Sequence, residues 1–257
     1  MQPPISVIIV NWNVAESLKR CLNSVFATKY SSLEVIIVDN ASSDKSLKIL
    51  KNYADLTTIK NSLNLGFPKA VNQGLKIATG DYILLLNPDT QLPKDFFIKA
   101  IAFAKSHPDM GIMGPKFTDP DGTAQGSIFK EPSIFKNIPK YSLDVVSQVD
   151  AISGACMFFP RSTFDKVGLF TEKVFMYYED MDYCRRIRNS GLKVYYNSET
   201  IVVHEHGQSA KKNPEAGDWR GYLWQSSLWY SGPIKHYLMW FISWTGQKFQ
   251  KLLGSNT

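Results

Sequence analysis

The first half of the chain alternates short, continuous apolar runs with stretches in which apolar residues recur at helical spacing. Continuous runs of this length indicate strands buried on both faces, and helical stretches between them indicate βαβ units. We therefore expect an α/β fold with a mostly parallel central sheet flanked by helices. The predicted strands cover residues 5–10, 33–38, 57–60, 81–86 and 111–114, and the predicted helices cover 15–27, a segment capped by Asp44, a segment between Pro68 and Gly80, and 95–106.

The second half of the chain is less regular. Residues 118–150 are rich in Pro, Asp, Ser and Lys and show no sustained period, which predicts a long excursion with one short hairpin. Apolar periodicity returns at Ile152 and predicts a strand in ISGACMFFP, a helix over 179–190, and two strands near 192–196 and 200–204.

The composition is that of a folded globular protein. With 257 residues, 44% hydrophobic and 20% charged, the chain belongs to neither the disordered nor the collagen-like class. No basic leader followed by an apolar run precedes the first strand, so we expect the protein to work in the cytoplasm. Cys21, Cys156 and Cys184 form no CxxC pair, and their neighbours predict buried, reduced thiols.

The C-terminal end is basic and aromatic. The net charge is +6, and after residue 210 six Lys and Arg residues accompany only two acidic residues. Such a segment suits an anionic surface, either lipid headgroups or a phosphorylated substrate. The apolar stretch after Pro233 is far shorter than the about 20 residues that span a bilayer. It is therefore either an amphipathic helix at a membrane interface or a terminal helix packed on the domain or in a dimer.

Asp39 follows the second predicted strand in the segment VDNASSD. Ligands of open α/β sheets bind at the carboxyl ends of the strands, where an acidic side chain can accept hydrogen bonds from a ribose or a base. The chain contains neither GxGxxG nor GxxxxGK[ST], which argues against a Rossmann dinucleotide site and a P-loop. Asp39 and Asn40 are therefore either nucleotide-binding residues or turn residues, because Asp and Asn commonly stabilise turns.

Two further segments carry side chains suited to a divalent metal ion. Asn87-Pro88-Asp89 directly follows the strand DYILLL, and a carboxylate at a strand end suits Mg²⁺ or Mn²⁺ bridging a diphosphate. His204 and His206 flank Glu205 at the end of the last predicted strand, and imidazole is a good ligand for Mn²⁺ or a related ion. The simpler alternatives are a turn and an exposed histidine.

Three acidic residues open the helix predicted over 179–190. Capping and the helix macrodipole favour Glu179, Asp180 and Asp182 at this position, so structure accounts for part of the pattern. Glu179 and Asp182 share a helix face, whereas Asp180 is turned away by about 100°. One of the acids can therefore act as a base while the others anchor loops. We expect Arg185 and Arg186 in the same helix to have structural roles.

Taken in order along the chain, seven segments resemble the inverting glycosyltransferases of family 2 with a GT-A fold, particularly the bacterial branch with rhamnosyltransferases and galactofuranosyltransferases. The resemblance extends to about residue 231. The segments are VIIVNWN (7–13), VDNASSD (38–44), NLGF (64–67), GDYILLLNPD (80–89), SGACMFFPR (153–161), YEDMDYCRR (178–186) and HEHGQS (204–209).

The resemblance implies a nucleotide pocket at the ends of the first strands. Asn11 and Asp39 would line this pocket, with Asp39 holding the base or the ribose. The turn from Asn64 to Gly66 would also contact the nucleoside. The donor would carry UDP or dTDP.

The resemblance also implies a metal site and a catalytic base. Asp89 would be the main carboxylate on a divalent ion, Mn or Mg, and His204 its third-point ligand near the diphosphate. Asn87 stands where the family's DxD motif has its first Asp, and an amide is a weaker ligand than a carboxylate. Asp180 would be the base that removes the acceptor proton.

The expected function is inverting sugar transfer from a nucleotide donor to a saccharide or polyprenyl-linked acceptor in cell-envelope polysaccharide synthesis. The resemblance implies a GT-A domain over 1–232, with a nucleotide-sugar-binding half at 1–114, an acceptor-binding half at 115–232, and a separate C-terminal helix at 233–257. Peripheral contact with the cytoplasmic membrane face and a homodimer are both compatible with the tail, and no nucleic-acid partner is expected. The alternatives are a catalytically silent sugar-nucleotide-binding scaffold and a nucleotidyltransferase, which would release pyrophosphate.

Overall fold

A single large sheet with helices on both faces organises the chain. The computed structural model describes residues 2–133, 141–205 and 219–252, with side chains described as far as residue 242. The strands are β1 Ile5–Asn11, β2 Leu33–Asp39, β3 Leu56–Lys60, β4 Tyr82–Leu86, β5 Thr90–Gln91, β6 Met110–Thr118, β7 Ala124–Gln125, β8 Ile128–Phe129, β9 Ser147–Gln148, β10 Ala151–Ile152, β11 Cys156–Pro160 and β12 Lys193–His204. The helices are α1 Ala15–Ala27, α2 Ser46–Leu50, α3 Phe67–Ile77, α4 Phe96–Ser106, α5 Arg161–Val167, α6 Glu179–Asn189, α7 Trp219–Ser231 and α8 Pro233–Leu252.

The main sheet has the strand order β3-β2-β1-β4-β11-β6-β12-β5. Strands β1 to β4 are parallel, β12 is parallel to β6, and β11 runs antiparallel to both β4 and β6. The carboxyl ends of β1, β2, β4, β6 and β12 therefore lie along one edge, which we call the carboxyl edge. The segment that precedes β11 reaches this edge from the opposite chain direction.

The sheet carries a hydrophobic core on each face. Successive strand residues point to opposite faces, so Ile9 belongs to the cluster that includes Leu22 of α1, while Ile8 belongs to the cluster that includes Leu75 of α3. Burial on both faces explains why the strands appear in the sequence as continuous apolar runs. The three cysteines are buried and free, as predicted.

Most elements of the first half form where the pattern predicts them. The carboxylate of Asp44 accepts hydrogen bonds from the N–H of Ser46 in α2 and from the N–H of Ala15 in α1, at 2.9 and 2.8 Å, so it serves the starts of two helices. In the predicted excursion, Thr118 and Ala124 pair in a hairpin between β6 and β7. Residues 134–140 of that excursion lie outside the described residues.

The prediction of two strands near 192–196 and 200–204 is wrong. Lys193–His204 forms one strand, β12, which pairs with β6 and shifts register between Asn197 and Ile201. The polar residues there resemble a turn, but they form an irregularity inside the strand. Asn197 and Thr200 are both buried, and Asn197 Nδ2 donates to Thr200 Oγ1 at 3.2 Å, which satisfies polar groups that a turn would expose.

The C-terminal region is helical. Helix α8 begins at Pro233, as the apolar stretch suggests, whereas α7 before it was not predicted. Across the part of the chain that the structure describes, no helix combines the length and the apolar character needed to cross a membrane.

Candidate active site

Asn11 and Asp39 lie side by side at the carboxyl edge, where β1 and β2 end. Asn11 Nδ2 donates to Asp39 Oδ1 and to Ser42 Oγ, each at 3.0 Å, and Ser42 N donates to Asp39 Oδ2 at 3.0 Å. Both Asn11 and Asp39 are almost wholly buried. The Asp39 carboxylate therefore stabilises the turn after β2, and it retains lone pairs for a ligand because a carboxylate accepts about four hydrogen bonds.

Asn40 connects the turn after β2 to the segment from Asn64 to Gly66. Its Nδ2 donates to Asn64 Oδ1 at 2.7 Å and to Gly66 O at 3.3 Å, and its Oδ1 accepts from Leu65 N at 3.1 Å. Gly66 N also donates to Asn64 Oδ1, at 3.0 Å. These amide contacts bring the predicted nucleoside-binding residues of two separate segments together beside Asp39.

Gly66 lies against the backbone of a distant loop, residues 175–178. Its φ is +86°, and a Cβ at this position would lie 2.5 Å from Phe175 O. The next residue, Phe67, donates its N–H to the same carbonyl at 2.8 Å. Only glycine combines this conformation with this close approach, so Gly66 fixes the distance between the Asn64 turn and the loop that precedes α6.

Asp89 and His204 meet at the carboxyl edge. Asp89 Oδ1 lies 3.5 Å from His204 Nε2, and both side chains are buried. Two strand contacts hold them there: β12 pairs with β5 so that His204 lies opposite Thr90, and Glu205 N donates to Asp89 O at 2.8 Å. Within the described ranges, no three or more His, Cys, Asp or Glu side chains group as a metal site.

Gln125 orients the imidazole of His204. Its Nε2 donates to Asp119 Oδ1 and to His204 O, both at 2.6 Å, so its Oε1 is the atom that lies 3.1 Å from His204 Nδ1. Nδ1 therefore carries a proton and donates to Gln125. In the neutral ring the Nε2 lone pair then points toward Asp89 Oδ1, so an imidazole nitrogen and a carboxylate oxygen face each other. The pair consequently fits a divalent metal ion.

Asp180 reaches the same edge through the segment before β11. Gly154 N donates to Asp180 Oδ2 at 3.1 Å, and Met181 N donates to Asp180 Oδ1 at 2.8 Å. Asn87 N donates to Ala155 O at 2.8 Å, so neighbouring residues of one short segment contact both Asp180 and the Asn87-Pro88-Asp89 turn. The Asp180 side chain is half-buried and lies at the first turn of α6.

Glu179 and Asp180 have different surroundings. Burial raises the pKa of Asp180 above its ordinary value, although the N–H groups of Gly154 and Met181 favour its ionised form. Burial, followed by the charge of Asp180, raises the pKa of Glu179 to about 8. Glu179 Oε2 is buried and has no hydrogen-bond partner among the described residues. Glu179 is therefore the protonated member of the pair at neutral pH, and Asp180 carries the negative charge.

The arginines of α6 have structural partners. Arg185 donates to both carboxylate oxygens of Glu131, at 3.1 and 3.0 Å, and Arg186 Nε donates to Asp182 Oδ2 at 2.9 Å. Tyr230 OH also donates to Glu131, at 2.7 Å from Oε1 and 2.8 Å from Oε2. The expected structural roles of the arginines are therefore confirmed, and Asp182 is engaged with Arg186 instead of facing the site.

Sequence reasoning missed two groups that support the site. Gln125 lies in the excursion without periodicity, so nothing in its surroundings pointed to His204. Glu205 was noted only as part of its motif, yet it forms an ion pair with Arg20 of α1 and anchors the end of β12. His206 and the rest of the HEHGQS segment lie outside the described residues.

Comparison with known proteins identifies the family. A model of Glycosyl transferase family 2 matches residues 6–168, well over half of the chain. The matched region contains Asn11, Asp39, Asn64, Asn87 and Asp89. It ends before Asp180 and His204.

One curated relative is the N-acetylglucosaminyl-diphospho-decaprenol L-rhamnosyltransferase of Mycobacterium tuberculosis. It is 25% identical over 245 residues, which cover 83% of this chain and 80% of the relative. The chain therefore aligns along most of its own length and most of the length of that protein.

Two solved structures share the fold. The first is TarS residues 1–349 of S. aureus in complex with UDP-GlcNAc, with a TM-score of 0.67 and 18% identity; the match covers 89% of this chain and 65% of that one. The second is the mannosyltransferase PcManGT of Pyrobaculum calidifontis in complex with GDP-Man and Mn²⁺, with a TM-score of 0.63 and 20% identity; the match covers 100% of this chain and 66% of that one. The chain spans slightly less than two thirds of each solved chain. The likeness confirms the predicted GT-A fold. Together with the family match, it establishes that this chain belongs to glycosyl transferase family 2.

Proposed function

We propose that this chain transfers a sugar, with inversion, from a nucleoside diphosphate donor to a hydroxyl group of a lipid-linked saccharide in cell-envelope glycan synthesis. The observation that carries the proposal is the convergence of Asp39, the Asp89–His204 pair and Asp180 at one edge of the sheet. The M. tuberculosis relative, whose name specifies a diphospho-decaprenol acceptor and rhamnosyl transfer, supports the class of acceptor.

The nucleotide end of the donor binds at the ends of β1 and β2. Asn11 Oδ1 and the Asp39 carboxylate accept hydrogen bonds from the base and the ribose, and the turn from Asn64 to Gly66 closes over the nucleoside. The amide of Asn40 supports this arrangement because it holds both segments in place. Uracil and thymine present the same donor and acceptor atoms to such groups, so UDP and dTDP are the donor nucleotides we propose.

The diphosphate lies next to Asp89 and His204. These two side chains would hold a divalent metal ion, Mn or Mg, and Asn87, in the same turn as Asp89, would contact the donor. A bound divalent ion would neutralise the diphosphate as negative charge develops on the leaving group. Gln125 Oε1 accepts a hydrogen bond from Nδ1 of His204 and so directs Nε2 at the site.

Asp180 is the base. Its carboxylate accepts the proton of the acceptor hydroxyl as the hydroxyl oxygen attacks the anomeric carbon from the face opposite the diphosphate. The bond between the anomeric carbon and the diphosphate oxygen breaks, and its electron pair leaves with the nucleoside diphosphate. The backbone N–H groups of Gly154 and Met181 hold the carboxylate in place. Its raised pKa makes Asp180 a better proton acceptor than an ordinary aspartate.

The proposal is tested by nucleoside diphosphate release. The purified chain is incubated with Mn²⁺, a diphosphopolyprenol-linked N-acetylglucosamine acceptor, and a panel of UDP- and dTDP-sugars. We expect acceptor-dependent release of UDP or dTDP with one donor and no pyrophosphate. Release of pyrophosphate, or no acceptor-dependent release with any donor of either class, contradicts the proposal.

A further inference from the structure

Helices α7 and α8 form a helical hairpin beside the 175–178 loop. The chain turns between the helices at Gly232, which has a φ of +75°, and at Pro233. The hairpin is closed by the ring of Trp224, which meets the buried His236 edge-on at 4.3 Å. The two helices are therefore packed against each other, and each has one side left for other contacts.

One side of α7 holds the loop that leads into Asp180. In this loop Tyr177 and Tyr178 both have positive φ, 71° and 66°, a conformation that bulky residues adopt only when surrounding contacts impose it. Three α7 side chains at a spacing of four residues make those contacts. Tyr222 stacks on Phe175 at 4.6 Å, Ser226 Oγ donates to Met176 O at 2.8 Å, and the ring of Tyr230 lies 5.1 Å from that of Tyr178.

Helix α8 turns an apolar stripe toward solvent. Ile234, Tyr237, Leu238 and Phe241 follow the i, i+3, i+4, i+7 spacing of one helix face, and they are 85%, 52%, 41% and 54% exposed. An amphipathic helix normally buries such a stripe. We call these four residues the exposed stripe. Trp224 and Trp240 lie near it, with their ring centroids 6.3 Å apart, and extend the apolar surface onto α7.

Charge indicates what binds the exposed stripe. Residues 219–252 contain Arg220, Lys235, Lys248 and Lys251 and no Asp or Glu. A second copy of the chain would bring the same positive charges to the interface, which repel, whereas an anionic lipid surface attracts them. Trp and Tyr favour the interface between lipid headgroups and hydrocarbon because their rings have an apolar body and a polar atom. These features are those of an interfacial helix.

We propose that the exposed stripe docks the protein on the surface of an anionic phospholipid bilayer. Because the other side of the hairpin holds the 175–178 loop, docking brings the residues around Asp180 close to the headgroup layer. A saccharide linked to a membrane lipid would then meet the site without leaving the bilayer. This last step rests on the proposed function, whereas the docking itself does not.

The test is co-sedimentation of the full chain with vesicles, without donor or metal. Vesicles of phosphatidylcholine alone are compared with vesicles that contain phosphatidylglycerol. We expect binding to the anionic vesicles that weakens with added salt. Replacing two stripe residues, Ile234→Glu with Leu238→Glu, lowers the affinity by at least about tenfold, because charged side chains replace apolar area that the bilayer would bury.

A matched control separates the stripe from exposed apolar residues in general. Ile98 on α4 is 63% exposed and lies on another part of the molecule, so Ile98→Glu leaves vesicle binding unchanged. Calorimetric titration of UDP and dTDP checks that the stripe variant still folds and binds nucleotide. A chain that binds vesicles but no nucleotide contradicts the proposed function and leaves docking supported.

Two results overturn the docking proposal. The first is equal sedimentation of the wild type and the stripe variant with anionic vesicles. The second is a concentration-dependent dimer, seen by light scattering, that the stripe variant abolishes while vesicle binding persists, since that result assigns the stripe to a second copy of the chain.

Discussion

Asp89 Oδ1 and His204 Nε2 lie 3.5 Å apart at the carboxyl edge, although the two residues belong to opposite halves of the sequence. The pairing of β5 with β12 brings them together, and Gln125 turns the imidazole so that Nε2 points at the carboxylate. A carboxylate oxygen and an imidazole nitrogen are both ligands of divalent ions, and the proposed function assigns such an ion to this pair.

Replacing Gln125 weakens metal binding. In Gln125→Ala the imidazole loses the acceptor that fixes its tautomer, and such partners are worth about 10- to 100-fold in metal affinity. Titration of Mn²⁺ by electron paramagnetic resonance, with saturating UDP or dTDP, measures the affinity directly. The control is Gln148→Ala, an exposed glutamine whose Nε2 donates to Tyr195 OH at 3.3 Å. Equal Mn²⁺ affinity in the wild type and Gln125→Ala would remove Gln125 from this role.

Replacing Asp180 by Asn lowers turnover but not donor binding. The amide keeps the shape of the side chain yet cannot accept the acceptor proton, so kcat falls by about 10²- to 10⁴-fold. Nucleotide affinity measured by calorimetry stays at the wild-type value. Asp182→Asn is the control on the same helix, since Asp182 is paired with Arg186. Wild-type turnover in Asp180→Asn would exclude Asp180 as the base.

Replacing Gly66 by Ala displaces the 175–178 loop. Gly66 and Gly122 have nearly the same backbone conformation, with φ values of +86° and +88°. A Cβ at Gly66 would lie 2.5 Å from the backbone atom Phe175 O. A Cβ at Gly122 has nothing within 4 Å. The Gly122→Ala variant therefore reports the cost of the backbone conformation alone, about 1 kcal/mol. We expect Gly66→Ala to lower the free energy of unfolding in urea by more than Gly122→Ala does, and to weaken nucleotide binding. An equal loss of unfolding free energy in the two variants would show that the contact with Phe175 is unimportant.

The buried Glu179 makes stability depend on pH. Its pKa is about 8 in the folded chain against an ordinary value of 4.5, so the folded state binds more protons than the unfolded state between these values. Its contribution therefore destabilises the fold increasingly as the pH rises from 4.5 to 8, with a slope of at most about 1.4 kcal/mol per pH unit. Below pH 4.5 both states are protonated and the contribution vanishes.

Urea unfolding from pH 5 to pH 8.5 measures this effect. We expect Glu179→Gln to gain stability relative to the wild type as the pH rises, because glutamine has no proton to lose. The exposed Glu199→Gln serves as the control and should show no such trend. A free-energy difference between wild type and Glu179→Gln that does not change with pH contradicts the assignment.

The central strands were predictable because both of their faces are buried. Runs such as VIIV (7–10) and ILLL (83–86) contain no polar residue, and the polar residues that follow them mark the carboxyl edge. Asp39 and Asp89 became candidates in this way, since ligands of a parallel sheet bind at the strand ends, whereas Asn11 became a candidate only through the family resemblance. His204 became a candidate ligand through its motif, whereas its distance from Asp89 comes only from the structure.

Elements held by tertiary contacts left no local signal. The bulge in β12 buries Asn197 and Thr200, whose polarity suggested a turn. Helix α7 packs through Tyr222, Ser226 and Tyr230, so its inner side carries no aliphatic stripe that periodicity could detect. The amide of Gln125 contacts His204, which lies far along the chain, and only the fold brings these two residues together.

The anomeric configuration of the product tests the central claim most directly. With the donor sugar identified by nucleoside diphosphate release, nuclear magnetic resonance of the isolated product reads the new glycosidic bond. A single displacement assisted by Asp180 predicts the configuration opposite to that of the donor. A product that retains the donor configuration would contradict the account, because attack from the face opposite the diphosphate cannot give it.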